Sequence, residues 1–150
     1  MGRQQRKARA AKEDRSARVA PVSVIFPSML IWIALGGATG SVLRYLVGGF
    51  IQRSAAVGFP VGTLAVNVVG GFIIGVLAQH YMNQQTSPQM RAALITGFCG
   101  GFTTFSAFSL ETVGLIRGGE YGKTAAYVVL SVTLSILATF SGMAAARAAA

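Results

Sequence analysis

The chain has 150 residues, of which 53% are hydrophobic and only 11% are charged, and its mean hydropathy is +0.58. Because soluble domains carry roughly 25% charged residues, this composition indicates a membrane protein rather than a soluble domain. The single cysteine, Cys99, excludes a disulfide framework and a thiol-based metal site.

The net charge of +9 is concentrated at the amino terminus, where residues 1–20 hold seven of the 13 basic residues. No aromatic residue interleaves with these basic residues, so we expect no nucleic-acid partner. We interpret residues 1–27 as a disordered basic extension that fixes the membrane orientation of the chain. Residues 28–150 are then a four-helix transmembrane domain.

Four apolar stretches follow, and each is long enough to cross a bilayer, which requires about 20 residues. Short polar loops separate them. They cover residues 28–51, 61–82, 92–117 and 121–146. We therefore expect an all-α, multi-pass protein of the plasma membrane, surrounded by the lipid bilayer, with both termini on the same side.

The first three spans contain costly polar side chains, which are functional candidates by default. Arg44 either extends to the membrane interface or attracts anions at a pore vestibule. Asn67 either joins helices or donates its amide N–H groups to an anion. Glu111 is expected to orient a neighbouring group or to pair with an arginine.

The third stretch has a glycine pair, Gly100–Gly101, that predicts a break in the helix. Backbone groups freed inside a membrane must be satisfied by protein, water or an ion. Carbonyl groups at the break, with Thr103–Thr104 nearby, would suit a hard cation such as Na⁺. Beyond the break, Phe105 and Phe108 share one helix face and either pack as ordinary apolar residues or present their positive ring edges to an anion.

The fourth stretch places Tyr127, Ser131, Ser135 and Thr139 at four-residue steps, which puts all four hydroxyls on one helix face. Hydroxyls in membrane helices often bond the carbonyl four residues back, so this stripe can be purely structural. Alternatively, the same hydroxyls can donate to a passing anion.

Three segments of the sequence resemble the signatures of the Fluc (CrcB) family of fluoride channels. They are GGATGSVLRY at Gly36–Tyr45, GTLAVNVVGG at Gly62–Gly71 and GFCGGFTTFSAFSLE at Gly97–Glu111. The resemblance covers about residues 29–146. It implies an antiparallel, dual-topology type of dimer of four-helix subunits with a broken third helix and two fluoride pores at the dimer interface. The chain departs from the pattern at Ala107, where the family usually has Thr.

The resemblance also implies roles for individual residues. Arg44 and Glu111 match vestibule or structural positions, and the backbone carbonyls of Gly100 and Thr103 match a structural Na⁺ site. The positions that match the fluoride pore are Asn67, Phe105, Ser106, Phe108, Ser109, Tyr127, Ser131 and Ser135. The implied function is passive export of fluoride from the cytoplasm, which relieves fluoride toxicity.

Two other functions stay open. A small multidrug exchanger is also a dimer of four-helix subunits, but it needs an acidic residue in the first span, and residues 28–51 contain none. An oriented, non-conducting partner subunit of a heterodimeric fluoride channel would explain the basic extension and Ala107. The chain has neither a GxxxxGK[ST] nor an HExxH motif, so we expect neither an energised pump nor an enzyme.

Overall fold

The computed structural model describes residues 22–55, 58–83 and 87–149, and within these ranges the regular elements are all helices. They are α1 (Val22–Ala55), α2 (Val61–Asn83), α3 (Pro88–Arg91, then π-helical Ala92–Cys99, then Gly100–Phe102), α4 (Phe105–Arg117) and α5 (Tyr121–Ala148). The predicted all-α fold is confirmed.

Within the described residues, four helical stretches are long and apolar enough to cross a membrane, which confirms the predicted number of spans. They are Met29–Ala55, Val61–Tyr81, Pro88–Arg117 and Tyr121–Ala148. The third begins four residues before its predicted start, because Pro88 suits the first turn of a helix and the Ser87 hydroxyl caps it by accepting the N–H of Met90 at 3.3 Å.

The first helix also begins earlier than predicted, at Val22 rather than at residue 28. Residues 22–27 were predicted as part of the disordered extension, but four of them, Val22, Val24, Ile25 and Phe26, are apolar and belong to the helix. The rest of the basic extension, residues 1–21, lies outside the described residues.

Glycines set the helix packing, with α1 against α3 and α2 against α5. A side chain at Gly36 or Gly40 would collide with backbone carbonyls of α3, and one at Gly75 would collide with a carbonyl of α5. Small residues allow this approach in a bilayer, where no hydrophobic force drives helices together.

In the described part of the chain, few side chains are fully buried within the subunit, and the largest of them are those of Tyr127, Val66 and Cys99. Many large apolar side chains are exposed, including Phe50, Phe105 and Phe140. Such surfaces suit contact with lipid or with another subunit, and the antiparallel dimer stays a prediction.

Candidate functional site

Two extended residues separate α3 from α4. Thr103 has φ −86° and ψ 160°, and Thr104 has φ −153° and ψ 114°. The predicted position of the interruption was therefore wrong, because Gly100 is helical with φ −64° and ψ −35°. Gly101 serves close packing instead, since a side chain there would collide with the backbone of Gly37 in α1.

The side-chain amide of Asn67 in α2 pairs with the backbone of Thr104. Asn67 Oδ1 accepts the Thr104 N–H at 2.7 Å, and Asn67 Nδ2 donates to the Thr104 carbonyl at 3.1 Å. One amide thus satisfies a donor and an acceptor that a continuous helix would have paired internally. The amide still has a second N–H group to donate.

The two threonines use their hydroxyls to stabilise the helix ends. Thr103 directs both its N–H, at 3.0 Å, and its hydroxyl, at 2.9 Å, to the Cys99 carbonyl. The Thr104 hydroxyl caps α4 by accepting the N–H of Ala107 at 3.1 Å, and it lies 3.2 Å from the Ser106 hydroxyl.

These caps change the bonding of two carbonyls predicted to hold a cation. In a continuous α-helix, the Gly100 carbonyl would accept the N–H of Thr104, and the Thr103 carbonyl would accept the N–H of Ala107. Both N–H groups are directed elsewhere, to Asn67 and to the Thr104 hydroxyl. The Gly100 and Thr103 carbonyls thus lose their usual donors, and their chemistry fits a hard cation.

A groove of about 460 Å³ runs beside the interruption, and we call it the phenylalanine groove. Among the residues that line it are Asn67, Gly100, Thr103, Thr104, Phe105, Phe108, Ser131 and Ser135. The groove therefore brings together five of the predicted pore positions and both predicted Na⁺ positions. Three predicted pore residues, Ser106, Ser109 and Tyr127, are not among its lining residues.

Two phenylalanines form one wall of this groove, with ring centroids 5.4 Å apart and planes tilted by 41°. Phe105 is 78% exposed, whereas Phe108 is half-buried against Tyr127, with a centroid distance of 5.2 Å. The Phe105 ring is therefore available to a neighbouring molecule, and the Phe108 ring is held within the subunit.

Ser131 carries the one buried side-chain hydroxyl without a hydrogen-bond partner in the described part of the chain, although the residue is only 6% exposed. Ser109 and Thr139 behave differently, since each donates its hydroxyl to the carbonyl four residues back at 2.9 Å. The structural interpretation of the hydroxyl stripe therefore holds for Thr139 and does not hold for Ser131.

Glu111 of α4 joins α2 and α5 through two hydroxyls. Its Oε1 accepts from the Thr63 hydroxyl at 2.7 Å, and its Oε2 accepts from the Tyr127 hydroxyl at 2.6 Å. Tyr127 is fully buried, at 0% exposed. The carboxylate therefore fixes the Tyr127 ring, and that ring packs against Phe108.

A second groove of about 410 Å³, here called the arginine groove, lies on the other side of Thr104. Its lining includes Arg44, Arg53, Thr104, Ala107 and Glu111. Ala107 thus lies in this groove and not in the phenylalanine groove. Thr104 lines both grooves.

Sequence reasoning missed the roles of two residues. Thr104 was considered only as a neighbour of the predicted cation site, although a threonine before a helical run is a recognisable N-cap signal. Thr63 gave no signal, because a threonine near the start of an apolar span has many structural uses.

Comparisons with known proteins identify the family of the chain. A family model described as CrcB-like protein, Camphor Resistance (CrcB), matches residues 31–143. A protein of Rhizobium meliloti (strain 1021) is 52% identical over 120 residues, which cover 79% of this chain and 96% of the relative. A protein of Sulfurovum sp. (strain NBC37-1) is 46% identical over 117 residues, which cover 78% of this chain and 92% of the relative.

A third relative, from Caulobacter vibrioides (strain NA1000 / CB15N), is 48% identical over 120 residues, which cover 79% of this chain and 94% of the relative. All three relatives bear the name fluoride-specific ion channel FluC. The chain therefore belongs to the CrcB family, whose members are multi-pass membrane ion channels and not enzymes.

Proposed function

We propose that this chain is a subunit of a fluoride-selective channel through which F⁻ leaves the cytoplasm passively. The names of relatives that match it over nearly their whole length support this function. Fluoride is small and strongly hydrated, so a pore must replace its lost water with hydrogen-bond donors and positive ring edges. The phenylalanine groove contains both kinds of group.

The observation that carries the proposal is the unpartnered hydroxyl of Ser131. A buried polar group without a partner costs roughly 1–3 kcal/mol, and a fluoride ion accepting from the hydroxyl would remove that cost. Phe105 and Phe108 line the same groove, so an anion there would lie beside both rings, and we propose that it contacts their positive edges. The second N–H of Asn67 adds another donor.

We further propose that two such subunits form an antiparallel dimer with two pores at its interface. The exposure of Phe105, at 78%, supports this arrangement, because one subunit leaves the groove open on that side. In the dimer, Ser106 and Ser109 at the start of α4 would continue the line of hydroxyls. Tyr127 would act by holding Phe108 in place.

A structural Na⁺ at the dimer centre forms part of the same proposal. The extended pair Thr103–Thr104 would serve as the break in the third span, and the carbonyls of Gly100 and Thr103 would hold the ion. Unwound backbone carbonyls are the usual ligands of Na⁺ in membrane proteins. The ion would supply positive charge that stabilises the interface. Dimer stability in Na⁺ should exceed that in N-methylglucamine, as measured by thermal dissociation in detergent.

Export follows from the chemistry of hydrogen fluoride. The neutral acid enters from an acidic exterior and dissociates inside, and the membrane potential then drives the trapped anion outward. The potential contributes about 2.3 kcal/mol per charge for each 100 mV. No coupled energy source is required.

Fluoride efflux from liposomes containing the purified chain tests this function, with chloride efflux from the same liposomes as the selectivity control. We expect rapid fluoride efflux and little chloride efflux. If fluoride passes only after co-reconstitution with an oppositely oriented homologue, the chain is instead the oriented partner subunit of a heterodimer. Absence of fluoride efflux in both arrangements would contradict a fluoride channel.

The small multidrug exchanger has lost its support. The chain belongs to another family, and the one acidic side chain in its four spans, Glu111, already accepts hydrogen bonds from Thr63 and Tyr127.

A further inference from the structure

Two guanidinium groups line the arginine groove, and one of them lies outside every signature of the family resemblance. Arg44 belongs to the first signature and is half-buried. Arg53 lies nine residues further along α1, in its last turn. Both side chains line the groove together with Thr104 and Glu111.

Arg53 does not simply extend beyond the end of its helix. Its two terminal nitrogens lie 3.7 and 3.9 Å from the position that a Cβ would occupy on Gly49, one turn earlier. Gly49 itself lines the arginine groove. The guanidinium therefore lies back along α1, over a residue without a side chain, and towards the half of the helix that carries Arg44.

Among the described residues, no ion pair neutralises the positive charge of this groove. Glu111 is the one carboxylate among its lining residues, and both its oxygens accept from hydroxyls, at 2.7 and 2.6 Å. Across residues 22–55, 58–83 and 87–149, the salt bridge that forms joins Lys123 to Glu120 and involves neither arginine. Two guanidiniums against one carboxylate leave the groove net positive.

The groove adjoins the proposed pore. Thr104 lines both the arginine groove and the phenylalanine groove, so a small anion held near the arginines is separated from the proposed pore by the Asn67–Thr104 pair. A cleft of one charge sign concentrates ions of the opposite sign.

We propose that Arg53 acts with Arg44 to concentrate small anions at this mouth, and that Arg53 thereby sets the fluoride concentration at which the channel half-saturates. This inference rests on the proposed fluoride channel. A guanidinium near a membrane surface can instead bind the phosphate of a lipid headgroup, and the experiment separates these two sources of negative charge.

The experiment measures fluoride conductance against fluoride concentration in planar bilayers for the wild type and three variants. Arg53→Gln removes the charge, and Arg53→Lys keeps it. Arg117→Gln removes one charge at the same end of the bundle, from an exposed side chain that lines neither groove. Each variant is measured at ionic strengths of about 10 mM and about 1 M, where the Debye length falls from about 30 Å to about 3 Å.

We expect Arg53→Gln to raise the half-saturating fluoride concentration roughly twofold at low ionic strength. This is the effect expected of one charge that lies about 8 Å from the anion with water between them. The maximal conductance should be unchanged, and the shift should vanish at high ionic strength. Arg53→Lys should behave as the wild type, and Arg117→Gln should shift the half-saturating concentration much less.

An unchanged half-saturating concentration in Arg53→Gln, or an equal shift in Arg117→Gln, would overturn the inference. Repeating the measurement in neutral and in anionic lipid tests the headgroup alternative. If Arg53 binds lipid phosphate, Arg53→Gln alters how thermal stability depends on anionic lipid and leaves half-saturation unchanged. A wild type without fluoride current would overturn the proposed function and this inference together, whereas a conducting wild type with an unaffected variant overturns this inference alone.

Discussion

The two halves of the third span are built on different principles. The first half, α3, packs its backbone directly against α1, and Gly97 and Gly101 leave no room for side chains between the helices. The second half, α4, has no buried residue at all. Its attachments within the subunit include two polar ones, the pairing of Thr104 with Asn67 at its start and that of Glu111 with Thr63 and Tyr127 in its middle.

Within one span, α3 therefore makes the close contacts with α1, whereas α4 supplies the two phenylalanines of the groove. Close contact between backbones fixes the position of α3 against α1. The polar anchors of α4 hold its backbone while leaving Phe105 and the groove open. We expect the largest effect from removing the polar contacts that hold α4, and a smaller one from changing the packing of α3.

The strongest anchor of α4 is the Asn67 amide. Asn67→Leu removes the partners of both the N–H and the carbonyl of Thr104. Each buried group left unsatisfied costs about 1–3 kcal/mol, so we expect a loss of roughly 2–6 kcal/mol in unfolding free energy, measured by denaturation in mixed micelles.

Gln52 offers a matched control, because its amide also bonds a backbone donor and an acceptor, those of Gly62 and Phe59, each at 3.0 Å. It lies near the end of α1, where water can replace the lost bonds. Gln52→Leu should therefore destabilise the protein by less than about 1 kcal/mol. Equal losses for the two variants would show that the Asn67 pairing has no special importance.

The second anchor of α4 is the bond between Tyr127 and Glu111. Tyr127→Phe keeps the ring but removes a hydrogen bond to a carboxylate, so we expect a loss of about 1.5–3 kcal/mol. Fluoride conductance should also fall, because without the bond to Glu111 the ring at position 127 no longer holds Phe108 in place. Tyr121→Phe changes an exposed tyrosine of the same helix and should leave both measurements unaltered. A stable, fully conducting Tyr127→Phe protein would contradict this support role.

The packing of α3 is tested by adding one methyl group. Gly40→Ala would bring a Cβ within 2.8 Å of the Phe102 nitrogen, so α1 and α3 must separate, at a cost of about 1–3 kcal/mol. Gly114→Ala makes the same change in α4, where the added Cβ would meet no atom outside its own helical turn within 4 Å. We expect it to be neutral or to stabilise the helix by up to about 1 kcal/mol. Similar destabilisation of both variants would remove the contrast between the two halves.

The sequence was sufficient for the fold because long apolar runs leave a chain in a bilayer few alternatives to helices. It was not sufficient for the position of the interruption. A glycine pair either breaks a helix or allows another helix to approach, and only the position of α1 shows that Gly101 does the second.

The candidate site was predictable in its residue types and not in its bonds. Asn67 was expected either to join helices or to donate to an anion. Much of its hydrogen-bonding capacity joins α2 to the backbone of Thr104, a partner that no sequence pattern reveals. The four-residue spacing likewise predicts the same environment for Ser131 and Thr139. Their difference depends on rotamer and burial, because Thr139 bonds its own helix and Ser131 does not.

Replacing Ser131 tests most directly whether fluoride passes through the phenylalanine groove. Ser131→Ala removes an unpartnered hydroxyl, so the free energy of unfolding should be unchanged or slightly higher. Fluoride efflux from liposomes should fall by roughly tenfold, which is the effect of losing about 1.4 kcal/mol of ion stabilisation at that point. Ser141→Ala, an exposed hydroxyl of the same helix bonded at 2.8 Å to its own backbone, should leave efflux unaltered. Wild-type efflux through Ser131→Ala would contradict a pathway through this groove.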